Sequence, residues 1–208
     1  MAADERPAGQ LSPHDALRRG HWVKLICGAS NQDLPAIADL CAVYGAAGID
    51  CVDVAADPAV VRAARQGLQW LDQLGMARPW LMVSVSDGRD AHFRKAWFDP
   101  ARCPADCPRP CQRVCPAEAI AAVGAVDERR CYGCARCLPS CPLGLIEERD
   151  HRLSSDAIAE LLTSMRPDAV EVHTAPGVRP LTPCWRSWPS PECRFSVWPS
   201  VAGWRAKY

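Results

Sequence analysis

Net charge is absent from this 208-residue chain: 24 Lys and Arg offset 24 Asp and Glu, with five His taken as neutral. The positive field with which a nucleic-acid binder gathers phosphates is therefore missing. No apolar run reaches the roughly 18 residues needed to cross a bilayer. Residues 1–20 lack the apolar centre of a secretory signal and carry Pro7, Pro13, Arg18 and Arg19 instead. No G-x-G-x-x-G string follows the first predicted strand, so dinucleotide binding has no local support. The expectation is a cytoplasmic chain with no membrane span and no nucleic-acid partner. Its hydrophobic content of 49% supports a packed core.

Cysteine is in excess. Of 13 cysteines, eight fall in the 39 residues from Cys103 to Cys141. Without an export signal a disulfide framework is disfavoured, because cytosolic thiols are kept reduced, and clustered cytosolic cysteines more often bind metal.

Outside that block the pattern is α/β. Residues 1–20 read as a flexible arm. Trp22–Cys27, Ile49–Val54, Trp80–Ser86 and Asp168–His173 read as strands, from their short apolar runs bounded by turn residues. A helix capped by Asp33 carries Ile37, Leu40, Cys41, Tyr44 and Ala47 on one face. A second opens at Asp57-Pro58 and presents Val61, Ala64, Leu68 and Leu71. A third, capped by Ser154 or Ser155, carries Ile158, Leu161, Leu162 and Met165 and stops at Pro167. Alternating strands and helices imply a parallel sheet joined by right-handed crossovers. The expected architecture is a partial (β/α) barrel-like parallel sheet, formed by residues 21–86 and 153–173. An α+β ferredoxin-like two-cluster domain is inserted at 87–152. Residues 174–208 hold six Pro and four of the eight Trp with no period, and read as an irregular, aberrant tail, as a frame-shifted or truncated gene end would leave.

The second half of the cysteine block reads Cys131-x2-Cys134-x2-Cys137-x3-Cys141-Pro142, the run that holds clusters in bacterial ferredoxins, where the fourth cysteine ligates the other cluster. The first half reads Cys103-x3-Cys107-x3-Cys111-x3-Cys115-Pro116, with two spacers one residue longer. Cys115-Pro116 followed by Ile120, and Cys141-Pro142 followed by Ile146, define a 26-residue repeat: two pseudo-symmetric halves, each with a short helix and an apolar cap. Crossed ligation assigns Cys131, Cys134, Cys137 and Cys115 to one [4Fe–4S] cluster. Cys107, Cys111 and Cys141, with Cys103, hold the other, either [4Fe–4S] or, if the longer spacers misplace one thiolate, [3Fe–4S]. The competing readings are two structural zinc ions, disulfides, or radical S-adenosylmethionine chemistry, which wants x3 then x2 spacing. Zinc is the strongest of these, but the Cys-Pro ends and the repeat fit iron–sulfur better.

Other positions carry weaker signals. Cys27, Cys41 and Cys51 sit at apolar positions and read as packing residues. Asp53, Asp57, His173 and the Gly28–Asn31 loop fall at strand ends, where parallel sheets bind ligands; capping and turn formation are the simpler roles. Arg102, Arg109, Arg113, Arg129, Arg130 and Arg136 surround the clusters and read as offsetting their negative charge; a docking patch for an acidic partner is the alternative.

The strings GHWVKLICGASNQDLP at residues 20–35 and DCVDVAADP at 50–58 resemble the cyanobacterial light-dependent-period family of iron–sulfur proteins. The resemblance continues through the cysteine block, including its longer first spacers, to about His173. It implies clusters that respond to the photosynthetic electron chain and modulate the circadian clock through partner proteins, namely clock proteins or their input kinase, with a redox carrier as a further partner. Family members continue well beyond this chain's length, and residues 174–208 depart from their pattern. The resulting expectation is a regulatory redox sensor with no catalytic residues; an electron-transfer module of an oxidoreductase, or a cluster that merely staples a loop, are the alternatives.

Overall fold

The computed structural model describes residues 11–27, 33–86, 93–121, 125–151 and 153–173. It opens with helix α1, Pro13–Arg19. Ser12 caps it by accepting the Asp15 N–H, Pro13 occupies the first turn, and Gly20 closes it at φ 72°. The sequence does not announce this helix: seven residues make under two turns, too few to show a period, and only the Ser-Pro start and the Gly stop mark it.

Four parallel strands follow: β1, Lys24–Ile26; β2, Cys51–Ala55; β3, Trp80–Ser86; and, after two further strands described below, β6, Ala169–His173. They lie in the order β1-β2-β3-β6. Helix α2, Leu34–Ala46, connects β1 to β2; α3, Pro58–Gln73, connects β2 to β3; and α5, Ser155–Met165, leads into β6. Asp33, Asp57 and Ser154 cap these helices as their sequences predict, each accepting a first-turn N–H. Pro167 ends α5, whose last turn closes on Arg166 in the left-handed region at φ 45°.

Side chains alternate across the sheet. Val52, Val54, Leu81, Val83, Val85, Val170 and Val172 pack against Ile37, Cys41, Val60, Val61, Ala64, Leu68, Leu71, Ile158 and Leu162 of the helices, forming the main core. Cys27 and Cys41 are buried there with sulfurs 4.0 Å apart, and Cys51 is buried on the opposite face, so all three are packing residues as expected. Helices α2 and α3 cross at two glycines. A Cβ on Gly67 would lie 2.1 Å from the Ala38 carbonyl oxygen, and one on Gly45 would lie 2.5 Å from Leu71.

The other face of the sheet carries charge that the sequence reading did not connect. Lys24 donates to Asp53 at 3.0 Å and also to Glu171, while the Ser84 hydroxyl donates to Asp53 at 2.6 Å. Lys24 and Glu171 stand on the two outer strands, so this pair bridges the full width of the sheet. Asp53 is 3% exposed. Burial, helped by the hydrogen bond shared with Glu171, raises its carboxyl to about 6 against the pull of Lys24 and Ser84. Burial pushes Glu171 up as well, but hydrogen bonds with Asp53 and Lys24 outweigh it and hold that carboxyl low.

This has a pH signature. A carboxyl whose folded value is raised contributes stability that is full below its unfolded value, near 4, and is lost as pH rises through the folded value. Between pH 4 and pH 7 the wild type is expected to lose about 2 kcal/mol relative to Asp53→Asn. Urea unfolding of both proteins across that range checks this; parallel profiles would contradict it. Asp57 caps α3 by accepting the Ala59 N–H at 2.9 Å, and His173 stacks edge-on against Phe93 with ring centroids 5.4 Å apart. The Gly28–Asn31 loop and the stretch 174–208 lie outside the described residues.

Candidate metal centre

Between β3 and α5 the chain leaves the parallel sheet. Strands β4, Arg94–Trp97, and β5, Glu147–Asp150, pair antiparallel, with Arg94 opposite Asp150 and Trp97 opposite Glu147. The Arg149 guanidinium covers the Trp97 ring. All eight clustered cysteines lie between these two strands. The sequence reading gave neither strand, because four-residue stretches rich in charge lack the alternation that marks one.

The 26-residue repeat is visible in the backbone. Gln112 donates to the Arg109 carbonyl and Leu138 to that of Ala135, both at 3.1 Å. Cys115 and Cys141 donate to Gln112 and Leu138; Glu118 and Gly144 donate back to Cys115 and Cys141. The left-handed positions correspond as well: Arg109 (φ 49°) with Ala135 (φ 57°), and Glu118 (φ 49°) with Gly144 (φ 61°). Equivalent N–H groups also reach sulfur, Ala119 to Cys115 at 3.3 Å and Leu145 to Cys141 at 3.4 Å. Only the first half closes its turn as a helix, α4, Pro110–Arg113; its counterpart at 136–139 remains a turn. Ile120 and Ile146, the expected caps, are both buried in one small core with Phe98, Cys111, Cys131 and Cys137.

The sulfurs sort into two neighbourhoods. Burial, then repulsion from Cys141, Cys103 and Cys107, raises the Cys111 thiol. Burial, then repulsion from Cys115 and Cys131, raises Cys134, and Cys137 feels Cys131, Cys134 and Cys115. Cys115, Cys131, Cys134 and Cys137 also line one small cavity, closed by Ala96, Ala119, Ile120 and Val126. Burial, reinforced by Cys131 and Cys134, pushes the Cys137 thiol up to about 12. A proton held that tightly in an apolar pocket is what a bound cation replaces when it deprotonates a thiol. Cys141 runs the other way: burial opposes ionisation, but the N–H groups of Leu145, Leu143, Ile146 and Gly144 outweigh it and hold the thiol below its usual range. Among the described residues no three His, Cys, Asp or Glu side chains form a preassembled metal site. Four thiols lining one small apolar cavity are the donor set that an iron–sulfur cage takes.

Two residues of the Cys131–Cys134 spacer do structural work that ligand spacing alone does not reveal. Tyr132 is buried in the main core, tying this loop to the parallel sheet. Gly133 holds φ 79°, and a Cβ there would lie 2.5 Å from the Arg94 carbonyl oxygen of β4. Gly133→Ala therefore meets both a disfavoured backbone conformation, worth about 1–2 kcal/mol, and a clash with β4. It is expected to lower the iron bound per chain by about half while the parallel sheet's circular dichroism persists; full iron content would contradict that. Among the arginines, Arg136 pairs with Asp33 at 2.9 Å and Arg130 donates to the Glu118 carbonyl at 3.1 Å, joining the cysteine segment to α2 and to itself. Arg129 stays 93% exposed beside Asp127.

Residues 103–152 match the family model described as the LdpA Fe-S cluster-binding domain. The chain is 58% identical over 166 residues to Light dependent period A of Synechococcus elongatus, a match that covers 79% of this chain and 47% of that protein. It thus spans about half the length of the curated relative it matches. No solved structure matches it. No helix among the described residues is long and apolar enough to cross a membrane. Over the matched span the chain is similar to Light dependent period A, and residues 103–152 match the family's iron–sulfur cluster-binding domain.

Proposed function

We propose that this chain is a cytoplasmic redox sensor that reports the photosynthetic redox state to the circadian clock through two iron–sulfur clusters. A [4Fe–4S] cluster is held by Cys131, Cys134, Cys137 and Cys115. A second, [4Fe–4S] or [3Fe–4S], is held by Cys103, Cys107, Cys111 and Cys141, in a ferredoxin-like insert within a partial (β/α) barrel-like sheet. What supports the reading is the pseudo-symmetric backbone repeat around the cysteines, with Cys115, Cys131, Cys134 and Cys137 lining one cavity, in a chain akin to a protein named for a light-dependent period. When bound, a cluster supplies a one-electron change. The chain's own residues supply the coupling: Tyr132 and the Arg136–Asp33 pair join the cysteine segment to the parallel sheet and α2, so a change at the sulfurs reaches surfaces beyond the segment.

The test is redox-dependent binding. The cluster-loaded chain, prepared without oxygen, is presented oxidised or dithionite-reduced to purified clock proteins and their input kinase. The expected result is an affinity differing at least about fivefold between the two states for one of them. Equal affinities, or a bound flavin with turnover of a substrate, would overturn the sensor reading in favour of an electron-transfer module.

A further inference from the structure

A second cavity, of about 360 Å³, lies where the parallel sheet meets the cysteine segment. It opens at the C-terminal ends of β2 and β3, beside Ala55 and Ser86, the end of a parallel sheet at which ligands bind. Its volume lies within the range of small-molecule sites. Most of its wall is apolar: Val85 from β3, Phe93 before β4, Tyr132 from the cysteine loop and Leu161 from α5. Phe93 and Tyr132 give it two aromatic walls, and Phe93 is braced edge-on by His173.

Polar groups converge at one place on that wall. Lys95 has a side chain only 14% exposed. Its ammonium carries three donors; one goes to the Glu128 carbonyl, another faces the Asp57 carboxylate at 3.7 Å, and the third has no partner among the described residues. His151 lines the same cavity, its Nδ1 3.6 Å from Glu128. Burial, followed by the Lys95 charge, holds this imidazole below its ordinary value, so at neutral pH the ring is uncharged and available to donate or accept.

We propose that this cavity is a binding site for a planar, mostly apolar small molecule with one anionic head, the body between Phe93 and Tyr132 and the head on Lys95 beside His151. Tyr132 and Gly133 line or border both this cavity and the loop that carries Cys131 and Cys134, and Tyr132 also lines the cysteine cavity. A ligand seated here rests against the residues that hold those two sulfurs apart, giving the chain a chemical input alongside any redox one. The proposal does not depend on the sensor reading, since it concerns binding alone.

The test uses the full, cluster-loaded chain without oxygen and 1-anilinonaphthalene-8-sulfonate as probe, counted by equilibrium dialysis because clusters quench fluorescence. Its uncharged counterpart, N-phenyl-1-naphthylamine, serves as control. One equivalent of the sulfonate is expected. Leu161→Trp and Ala56→Phe, which fill the cavity, are expected to weaken both probes at least tenfold. Lys95→Met is expected to weaken the sulfonate at least fivefold and the uncharged probe less than twofold. In the wild type, bound sulfonate is expected to shield Lys95 from acylation read by mass spectrometry, a check independent of any variant's folding. Filling variants with normal iron content that bind both probes as the wild type does, or Lys95 acylated equally with and without probe, would overturn the site. Equal losses for both probes in Lys95→Met would overturn the anionic head.

Discussion

Serine at Cys137 and serine at Cys141 are expected to destroy different clusters, although the two positions are only four residues apart. Each variant is expected to retain about half of the wild-type iron and sulfide, with distinct residual paramagnetic signals, and the double variant to retain none. The physical basis is the neighbourhood of each sulfur. Cys137 is 6% exposed, among Cys131, Cys134 and Cys115. Cys141 acts electrostatically on Cys111 and takes its N–H contacts from the turn at 143–146. In the proposed crossed assignment, the x3 spacer and the proline after it carry the chain from one set to the other. Ligation by consecutive runs of four would make the two single variants spectroscopically alike. Iron and sulfide analysis with electron paramagnetic resonance separates the alternatives, and identical residual signals would contradict the crossed assignment.

Gly67→Ala is expected to destabilise the parallel-sheet unit by about 3 kcal/mol or more, a large share of the stability of a domain this size. In most helices the exchange is favourable by about 1 kcal/mol. Here the new methyl would sit 2.1 Å from the Ala38 carbonyl oxygen and 2.9 Å from its carbon. Backbone cannot rotate out of the way as a side chain can, so α2 and α3 must separate, opening the contact in which Leu71 fills the space beside Gly45. Gly75→Ala is the control: its φ of 65° is unfavourable, but no atom lies within 4 Å, so it should cost only about 1–2 kcal/mol. Urea unfolding of the two variants checks the ordering, and a Gly67→Ala protein within 1 kcal/mol of wild type would contradict the close crossing.

Long periodic elements were legible from sequence because their signals are local. Asp57-Pro58 opens α3 and the Val61, Ala64, Leu68, Leu71 stripe lies buried; Trp80–Ser86 is a strand over the residues expected. The parallel order also follows from alternating strands and helices. Short elements were not legible. Helix α1 has too few residues for a period, and β4 and β5 are held by pairing with each other across 49 intervening residues rather than by their own composition. The cysteine ladder gave the candidate ligands directly, since spacing fixes which sulfurs can share a cage. Spacing could not show that Tyr132 is a core residue, that Gly133 is pressed against β4, or that Lys24, Asp53 and Glu171 meet across the sheet. Each depends on a tertiary neighbour far away in sequence. The nearest sequence signal for the last is a charge at an alternate position within each of three otherwise apolar strands.

The proposed sensor function requires eight thiols enclosing iron and sulfide. The most direct measurement is the iron, acid-labile sulfide and zinc content of the chain purified without oxygen, with its visible absorption. About eight iron and eight sulfide per chain are expected, or seven iron if the Cys107 site holds a three-iron centre, in a brown protein that bleaches on oxidation. A colourless protein carrying two zinc ions and no sulfide would contradict it.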